Sequence, residues 1–520
     1  MIERLSGQDA AFLYLETPTV HMHTLKVAVV DAAGGYSFER FRDAMSRSLH
    51  LLPPFRRRIV FPPLGLDHPS WIEDPDFDLD RHLARAQVAA PGGKRELAEV
   101  VSRIAGRQLD RSRPLWEITA IEGLAGGKVA FCAKLHHSLA DGLAASALLD
   151  HLFGGAGQGC PRTLPPDPPP PRRALLAGAV RSWRRRARGL PGLVGETARG
   201  FVALARHTRG CPTVDAATPF CTPVTPFNRA LSAERVFATT ELPLPALKAL
   251  RRRAGCTVND VFLAVCAGAL RRYLLEQGAL PDRPLVVGVP KGCAGPGPTA
   301  PTGGARLSGN CVSNLFAHLP VQLADPVERL ASVRRGMDEA KRRHELLGAT
   351  LLRAWAEVIP PVPFAAAVRA ISRLRLADRL RPPINLVVSS VPGPASPLSF
   401  EDAALTSIHS VGPILEGIGL NITAWSYAGE LQIALLSCPR QIPDLWRLVD
   451  CFPDALAELE RAFSPDGGTS RGTGSRRPAT GDRQQAISDS EACPLPVASF
   501  LSPASCSADD SLGSRSASSG

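Results

Sequence analysis

The chain has 520 residues, of which 44% are hydrophobic, so it is too long for one compact core and long enough for two globular domains with connecting segments. Its 12 cysteines are scattered singly, without a CxxC pair or a Cys/His cluster at zinc-ligand spacing, which argues against a disulfide framework or a structural metal and favours a reducing cytoplasm. The net charge of +11 is local, because ten arginines and one glutamate in residues 172–209 supply +9 of it; without a basic stripe interleaved with aromatics elsewhere, a nucleic-acid-binding protein is disfavoured.

Neither a signal sequence nor a membrane span is expected. The stretch MIERLSGQDAAFLYLE carries acids, and its apolar part is short for a secretory signal. The best long apolar window, residues 345–371, is interrupted by Arg353, Glu357 and Pro360–Pro361. It therefore falls short of the about 18 uninterrupted apolar residues that a bilayer requires.

The first predicted domain, residues 1–154, mixes strands and helices. HTLKVAVVD is rich in β-branched residues and predicts a strand, and SFERFRDAMSRSLHLL has the apolar spacing of a helix. KVAFCAKLHH (128–137) alternates and predicts another strand, in which His137 faces the same way as the apolar side chains if the strand persists. DGLAASALLDHLFG (141–154) then predicts a helix, with Asp141 in position to act as its N-cap.

Residues 155–216 are predicted to link the two domains. The prolines in GAGQGCPRTLPPDPPPPRR lack a backbone N–H and so disfavour both helix and β-sheet. The next stretch, ALLAGAVRSWRRRARGLPGLVGETARGFVALARH, alternates small apolar residues and arginines. It permits an amphipathic helix on an anionic membrane or droplet surface, and it equally fits a solvated crossover whose arginines reflect the composition of the whole chain.

The second predicted domain is residues 217–463. TVNDVFLAVCAGALRRYLLEQG predicts a helix, RPLVVGVP, INLVVSSVP and GELQIALLSC predict strands, and a closing helix is predicted around 443–463. The Gly/Pro-rich stretch between Lys291 and Gly309 predicts a loop. After the closing helix the chain is rich in Ser, Gly, Arg and Asp, and residues 464–520 are predicted to be disordered.

A short motif at the end of one predicted strand contains residue types that are common in catalytic sites. In AKLHHSLADGLAAS, the adjacent His136 and His137 precede Asp141 and Gly142. A histidine at a strand end facing a cleft can take a proton from a hydroxyl and return it, while the aspartate can cap the next helix or pair with a buried arginine, and the glycine permits a close turn. Each residue alone fits a core histidine or a helix cap, but the combination favours a catalytic site. Adjacent histidines on a strand point to opposite faces, and no third ligand is near, so a metal site is disfavoured.

The motif HHSLADG matches the HHxxxDG signature of acyl-CoA-dependent acyltransferases with the chloramphenicol acetyltransferase-like fold. Its surroundings resemble those of the bacterial wax ester synthase/diacylglycerol acyltransferase family. The stretches that carry the resemblance are LSGQDAAFLYLETPTVHMH, RPLWEITAIEGLAGGKVAF, TVNDVFLAVCAGALRRYL, GNCVSNLFAHLPV and INLVVSSVPGP. They occur in the expected order over about residues 1–460.

The resemblance implies an α+β fold of two chloramphenicol acetyltransferase-like domains, each a mixed sheet with helices, joined by the Pro/Arg-rich crossover and meeting along a channel. It implies that His137 is the general base of a direct acyl transfer from acyl-CoA to diacylglycerol or a long-chain alcohol, that His136 supports the loop and that Asp141 orients it. No cofactor and no metal are expected. The expected location is cytoplasmic, peripherally associated with the inner membrane face or lipid droplets.

The resemblance also singles out residues outside the motif. Candidates for lining the channel or closing the domain interface are Gly142, Asn259, Asp260, Asn310, Ser313 and Asn314. For Asn259 and Asp260, helix capping is an equal alternative. Pro114, Leu115 and Trp116 would shape the acyl pocket, although the residues alone indicate only a turn followed by a packed tryptophan. Cys132 is set opposite His137 by strand alternation and is excluded as a nucleophile.

This chain departs from the family pattern in two places, the first of which lies in a segment that the resemblance associates with substrate or CoA binding. Lys291 and a long Gly/Pro loop stand where relatives usually carry a short Ser/Arg segment, and Ser390 replaces the usual asparagine before VPGP.

Two alternatives to an acyl-CoA-dependent acyltransferase are also open. One alternative is a condensation-type acyltransferase with a carrier-protein donor. Another is a lipid-surface protein that has kept the fold and lost turnover.

Overall fold

The structure is a computed structural model. It describes residues 3–32, 35–139, 171–210, 217–292, 310, 312–348, 351–393, 398–400 and 403–464. The predicted helix at 141–154, with Asp141 and Gly142, lies outside the described residues, and so do residues 293–309 of the predicted loop and 465–520 of the predicted tail.

Helices and strands alternate along both halves of the described chain. The helices are α1 (Gly7–Leu15), α2 (Phe38–Ser48), α3 (Lys94–Ala105), α4 (Arg172–Gly210), α5 (Leu244–Ala254), α6 (Val258–Glu276), α7 (Pro326–Leu347), α8 (Leu351–Val358), α9 (Pro361–Arg373) and α10 (Leu445–Ala462). The strands are β1 (Glu3–Arg4), β2 (His23–Asp31), β3 (Arg57–Val60), β4 (Ser70–Glu73), β5 (Leu83–Gln87), β6 (Trp116–Glu122), β7 (Lys128–His136), β8 (Val236–Pro243), β9 (Leu285–Gly292), β10 (Val312–Leu319), β11 (Leu386–Val391), β12 (Ser399–Phe400), β13 (Ala403–Val411), β14 (Leu420–Tyr427) and β15 (Glu430–Ser437).

Side-chain caps fix where several helices begin. The hydroxyl of Ser6 accepts the backbone N–H of Asp9 at the start of α1, and Ser37 does the same for Arg40 at the start of α2. Thr257 and Asp260 form a capping box at the start of α6. Each cap satisfies N–H groups that have no partner within the helix.

The first sheet has six strands in the order β12-β13-β2-β7-β6-β5, and its two central strands β2 and β7 are antiparallel. Because side chains alternate along a strand, its two faces carry different cores. Phe131 and Leu135 lie in one core cluster with Trp116, whereas Cys132 lies in another with Val27.

The second sheet has the order β10-β9-β11-β14-β15-β8. Its strand β11 is parallel to both neighbours, and the other pairs are antiparallel. Helices α6 and α10 pack against each other in the largest core cluster, in which Phe262 and Phe452 are fully buried. A small third sheet pairs β1, β4 and β3.

The two halves are interlocked by a strand. β13 comes from the second half of the chain but pairs antiparallel with β2 of the first sheet. Beside it, Val27 of β2 and Phe237 of β8 belong to one apolar cluster. The expected α+β class with two sheet-containing halves is therefore confirmed, while the predicted bounds, 1–154 and 217–463, stay predictions.

The segment between the halves forms a 39-residue helix, α4, with Pro191 inside it. It is packed on the body of the protein, because Ala179, Ser182 and Leu193 are buried and His207 lies 3.1 Å from a carboxylate oxygen of Glu339 on α7. Within the described residues, no single helix combines the length and apolar composition that crossing a bilayer would take.

One local prediction is wrong. Lys291 and Gly292 were expected to begin a loop, but they extend β9 and pair with Ser313 and Val312 of β10. The strand continues past the proline of VVGVP because β10 lies beside it and pairs with it. The Gly/Pro-rich composition of the stretch does not show that such a partner strand is present.

Candidate active site

His137 lies immediately beyond the end of β7. Its backbone N–H donates to the carbonyl of Met22, 2.7 Å away, which fixes the backbone where the strand ends. Its half-buried ring stacks on Phe12 of α1 with centroids 4.3 Å apart and an angle of 26° between the planes. The imidazole is thus held by apolar contact on one face.

A chain of hydrogen bonds orients the same ring. Nδ1 of His137 lies 3.1 Å from Oδ1 of Asn310. The amide nitrogen of Asn310 donates to Oδ1 of Asp9 and to the carbonyl of His137, both at 2.6 Å. The amide hydrogens are therefore committed, and Oδ1 is left to accept. A neutral His137 must then carry its proton on Nδ1, which leaves Nε2 as the basic nitrogen.

Asp9 is itself fixed at the start of α1. Its Oδ2 accepts from the hydroxyl of Ser6 at 2.7 Å, and its Oδ1 also accepts from the backbone N–H of Asn310 at 3.0 Å. Both Asp9 and Asn310 are buried. Sequence reasoning missed Asp9, although the Ser6-x-x-Asp9 spacing signals a helix start.

His136 points to the opposite face from His137, as alternation requires. It is fully buried, its Nδ1 lies 2.7 Å from the Ser138 hydroxyl, and it accepts the Ser138 backbone N–H at 3.1 Å. Burial lowers its pKa to about 3. His136 is therefore a neutral ring that fixes the turn carrying His137.

A buried carboxylate that the sequence did not reveal lies beside His136. Glu16, at the end of α1, accepts from Nε of Arg111 at 2.8 Å and lies 3.5 Å from Nε2 of His23. Burial alone would raise the pKa of Glu16, but the hydrogen bond from His23 and the charge of Arg111 outweigh it and lower the pKa to about 2. An ionised Glu16 thus anchors α1 at the end opposite Asp9.

Pro114, Leu115 and Trp116 are buried next to the histidine strand. The Leu115 carbonyl accepts the backbone N–H of His136 at 3.0 Å. The Trp116 ring stacks between Phe55 and His82, with 4.5 Å between centroids on each side, and its Nε1 donates to the Phe55 carbonyl at 2.7 Å. These contacts make the segment a rigid support for the turn.

The other candidates are placed differently. Asp260 accepts from the backbone N–H and the hydroxyl of Thr257, at 2.9 and 2.7 Å, so its carboxylate caps α6. Asn259 is half-buried in the same first turn. Ser313 is buried and hydrogen-bonded to Nε2 of His344, whereas Asn314 is exposed on β10. Asn310 joins His137 directly, while Asp260 and Ser313 are engaged elsewhere.

Cys132 is fully buried on the opposite face of β7 from His137. Burial raises the pKa of its thiol to about 12. A thiol that stays protonated at neutral pH is a poor nucleophile. The sequence-based exclusion of Cys132 agrees with this placement.

Comparison with known protein families gives two matches. The sequence model of the wax ester synthase/diacylglycerol acyltransferase catalytic domain matches residues 5–262, and that of the WS/DGAT C-terminal domain matches residues 308–460. A Mycobacterium tuberculosis H37Rv protein with the provisional name diacylglycerol O-acyltransferase Rv1760 is 39% identical over 472 residues, covering 88% of this chain and 90% of the relative. A second one, Rv0221, is 37% identical over 467 residues, covering 89% and 96%.

Solved structures show the same likeness. The wax ester synthase/diacylglycerol acyltransferase from Marinobacter aquaeolei VT8 aligns with a TM-score of 0.61 at 28% identity and covers 88% of this chain and 99% of its own. The first condensation domain of the calcium-dependent antibiotic synthetase aligns with a TM-score of 0.55 at 15% identity, covering 90% and 98%, and shows the fold alone. The expected two-domain fold is confirmed by these alignments.

Proposed function

Because the chain belongs to the wax ester synthase/diacylglycerol acyltransferase family and is thus an acyltransferase with a donor and an acceptor substrate, we propose that it moves a long-chain acyl group from acyl-CoA to diacylglycerol, a long-chain alcohol, or both. His137 is the general base of this proposal. The observation that carries it is the Asp9–Asn310–His137 chain, which sets the basic lone pair on Nε2.

In the proposed reaction, Nε2 of His137 takes the proton of the acceptor hydroxyl as its oxygen attacks the thioester carbonyl. The tetrahedral intermediate collapses, the C–S bond breaks, and the CoA thiolate takes the proton back from Nε2. The ring is transiently an imidazolium, and its charge faces Oδ1 of Asn310, whose amide is in turn polarised by the Asp9 carboxylate. The acyl group passes directly between substrates, without an acyl-enzyme and without a cofactor.

The intermediate also needs a donor for its oxyanion. Both amide hydrogens of Asn310 already have acceptors, so Asn310 serves in this proposal as a positioning residue that closes the interface between the two halves. Asp141 orients the motif loop and Gly142 permits its turn, as the family resemblance implies. Pro114, Leu115 and Trp116 support the strand end beside the acyl pocket.

Long-chain substrates partition into membranes and lipid droplets, so the proposal places the enzyme peripherally on such a surface at the cytoplasmic side. α4 supports this, because nine of its ten arginines have exposed side chains and attract anionic lipid. Arg186, the tenth, is instead paired with Asp67.

Product analysis tests the substrate assignment. Purified full-length protein is incubated with palmitoyl-CoA and either diolein or hexadecanol, and the products are identified by mass spectrometry. We expect triacylglycerol, wax ester or both, with one CoA thiol released per ester formed. Ester formation only from an acyl group on a carrier protein would replace this proposal with a condensation-type reaction, and no ester from either donor would leave a protein that keeps the fold without turnover.

A further inference from the structure

Helix α4 presents an apolar stripe that is not its packing face. The stripe recurs every three or four residues, so it follows one side of the helix. Its large members are Leu176, Val180, Trp183, Leu190 and Val194, all exposed. The side that packs on the protein is offset by one residue and contains Ala179, Ser182 and Leu193.

The stripe continues onto the loop before β4. Nε1 of Trp183 donates to the Leu66 carbonyl at 2.8 Å. At the tip of this loop Leu64 is 84% exposed in a left-handed backbone conformation with φ of 57°. Beside it, a Cβ on Gly65 would lie 2.7 Å from Cγ2 of Val362, another exposed side chain. Leu64 thus adds a large exposed apolar side chain beside the stripe.

These residues form one continuous surface, which we call the docking face. It consists of the five large apolar side chains of the stripe on α4 together with Leu64, Leu66 and Val362. Contiguous exposed apolar side chains on this scale mark an interaction surface. The exposed arginines of α4, which include Arg181, Arg184, Arg185 and Arg188, lie on the same helix.

The positive charge of α4 indicates which kind of partner binds the docking face. Pairing two copies of this chain through α4 would bring together two helices that each carry nine exposed arginines and one acid, Glu196, and like charges oppose such a pair. An anionic phospholipid surface offers hydrocarbon for the apolar stripe and phosphate for the flanking guanidinium groups. We propose that the docking face inserts into the headgroup region of an anionic phospholipid membrane.

A series of ion pairs and hydrogen bonds connects the docking face to α1, the helix that contacts the His137 ring. Arg186, one turn beyond Trp183, pairs with Asp67, which also accepts from Nε of Arg4 at 3.1 Å. Arg4 in turn lies 3.2 Å from Glu357, and the Glu357 carboxylate accepts the backbone N–H of Gly7, the first residue of α1.

Helix α1 carries both Asp9 and Phe12, the residues that hold Asn310 and the His137 ring. Membrane insertion would therefore set the protein with α1 toward the lipid, and a lipid acceptor would approach His137 from this side. That last step rests on the proposed acyl transfer; the insertion itself does not.

Two substitutions remove apolar surface without disturbing the fold. Leu64→Asn suits the left-handed conformation that asparagine tolerates better than leucine, and Val180→Gln introduces a residue of higher helix propensity at a 50% exposed position. The matched control is Leu275→Gln, at a 51% exposed position of α6. Full-length wild type, the double variant and the control are co-sedimented with vesicles of phosphatidylglycerol and phosphatidylcholine, after urea unfolding shows that all three are equally stable.

We expect wild type and Leu275→Gln to bind the vesicles equally, and the double variant to bind at least about tenfold more weakly. Binding that survives the double substitution overturns the proposal, and so does a wild-type dimer that the double substitution dissociates without any vesicle binding. Thiol release from a water-soluble short-chain acyl-CoA and alcohol is measured in parallel and should be equal in all three proteins. If wild type binds vesicles but shows no thiol release, the acyltransferase proposal fails while the docking proposal stands.

Discussion

The amide nitrogen of Asn310 donates to Oδ1 of Asp9 at 2.6 Å, although 301 residues separate them. The same amide nitrogen donates to the His137 carbonyl, and the amide oxygen faces Nδ1 of His137. The tautomer of the His137 ring is thus set by one residue from each half of the chain. Separating the halves at this point would release the ring.

A double-mutant cycle tests this relationship. Asp9→Ala and Asn310→Ala should each lower kcat about 100-fold, because either one frees the imidazole to rotate or change tautomer. Since the two residues act through one hydrogen-bonded chain, the double variant should be no slower than the slower single variant. Steady-state thiol release measures kcat, and the KM for acyl-CoA should stay within about twofold.

The conservative variant Asp9→Glu provides the control for a purely structural effect. Its carboxylate can still accept from Asn310, so it should recover a large part of the lost kcat. Effects that multiply in the double variant, or an equal loss in Asp9→Glu, would mean that the two residues do not act as a unit.

Buried neutral histidines should make the fold sensitive to acid. Burial lowers the pKa of His21, His68 and His409 to about 4 and that of His136 to about 3, from an ordinary 6.5. The unfolded chain therefore binds these protons at a higher pH than the folded chain does. The free energy of unfolding should fall as the pH drops from about 6.5 toward 4, by up to about 1.4 kcal/mol per pH unit for each histidine.

Urea unfolding at pH 7.5, 6 and 5 measures this dependence. His409→Gln removes one titrating group at a site remote from His137 and should make the pH dependence shallower by about one proton. A free energy of unfolding that is flat between pH 6.5 and 5 would show that these rings are protonated in the folded protein.

The Glu16–Arg111 pair should behave as a buried ion pair whose loss is costly. Arg111→Gln leaves the Glu16 carboxylate without its guanidinium, and we expect the free energy of unfolding to fall by about 2 kcal/mol, a value reduced for the partial exposure of Arg111. Glu16→Gln in that background should restore part of it, because no uncompensated charge remains. If the double variant is instead less stable than Arg111→Gln, the charge of Glu16 is not what Arg111 neutralises.

The pH dependence of this pair follows from the lowered pKa of Glu16. Since the folded pKa is about 2 and the ordinary value 4.5, its contribution to stability is fully present above about pH 4.5 and is lost as the pH falls toward 2. Wild type and Glu16→Gln should therefore converge in stability over that window. Unfolding curves recorded at pH 5, 4 and 3 would show the convergence.

Local patterns predicted the elements well and the long-range contacts poorly. The strand HTLKVAVVD is β2, His23–Asp31, and the predicted helix at 257–278 is α6, Val258–Glu276, because hydrophobic periodicity and caps are local. Lys291 and Gly292 extend β9 because a partner strand overrides their composition. The sequence could not show that β13 joins the first sheet, since strand order depends on pairing between distant segments.

The candidate site was predicted in the same uneven way. The motif and the family resemblance pointed to His137 and Asn310, and the structure brings them together. Asp9 and Glu16 were missed because their partners lie 301 and 95 residues away. Their hydrogen bonds form only when α1 lies beside the end of β7 in the folded protein. No local sequence pattern predicts that arrangement.

The arginines of α4 should contribute to membrane binding by charge. Arg184→Glu/Arg185→Glu/Arg188→Glu should weaken binding to anionic vesicles by about 1 kcal/mol or more per residue, and added salt should weaken wild-type binding in the same way. The matched control reverses Arg251, Arg252 and Arg253, three exposed arginines on α5. If both triple variants lose binding equally, net charge rather than the position of α4 governs the interaction.

Acceptance of the hydroxyl proton by His137 is the central step of the proposed reaction. Thiol release from palmitoyl-CoA should be measured with diolein and with hexadecanol, for wild type and His137→Ala side by side at equal vesicle content. We expect wild type to turn over at least one acceptor and His137→Ala to lose at least about 1,000-fold of that rate with its stability to urea unchanged. Turnover by His137→Ala within tenfold of wild type would contradict the role of His137 as the general base.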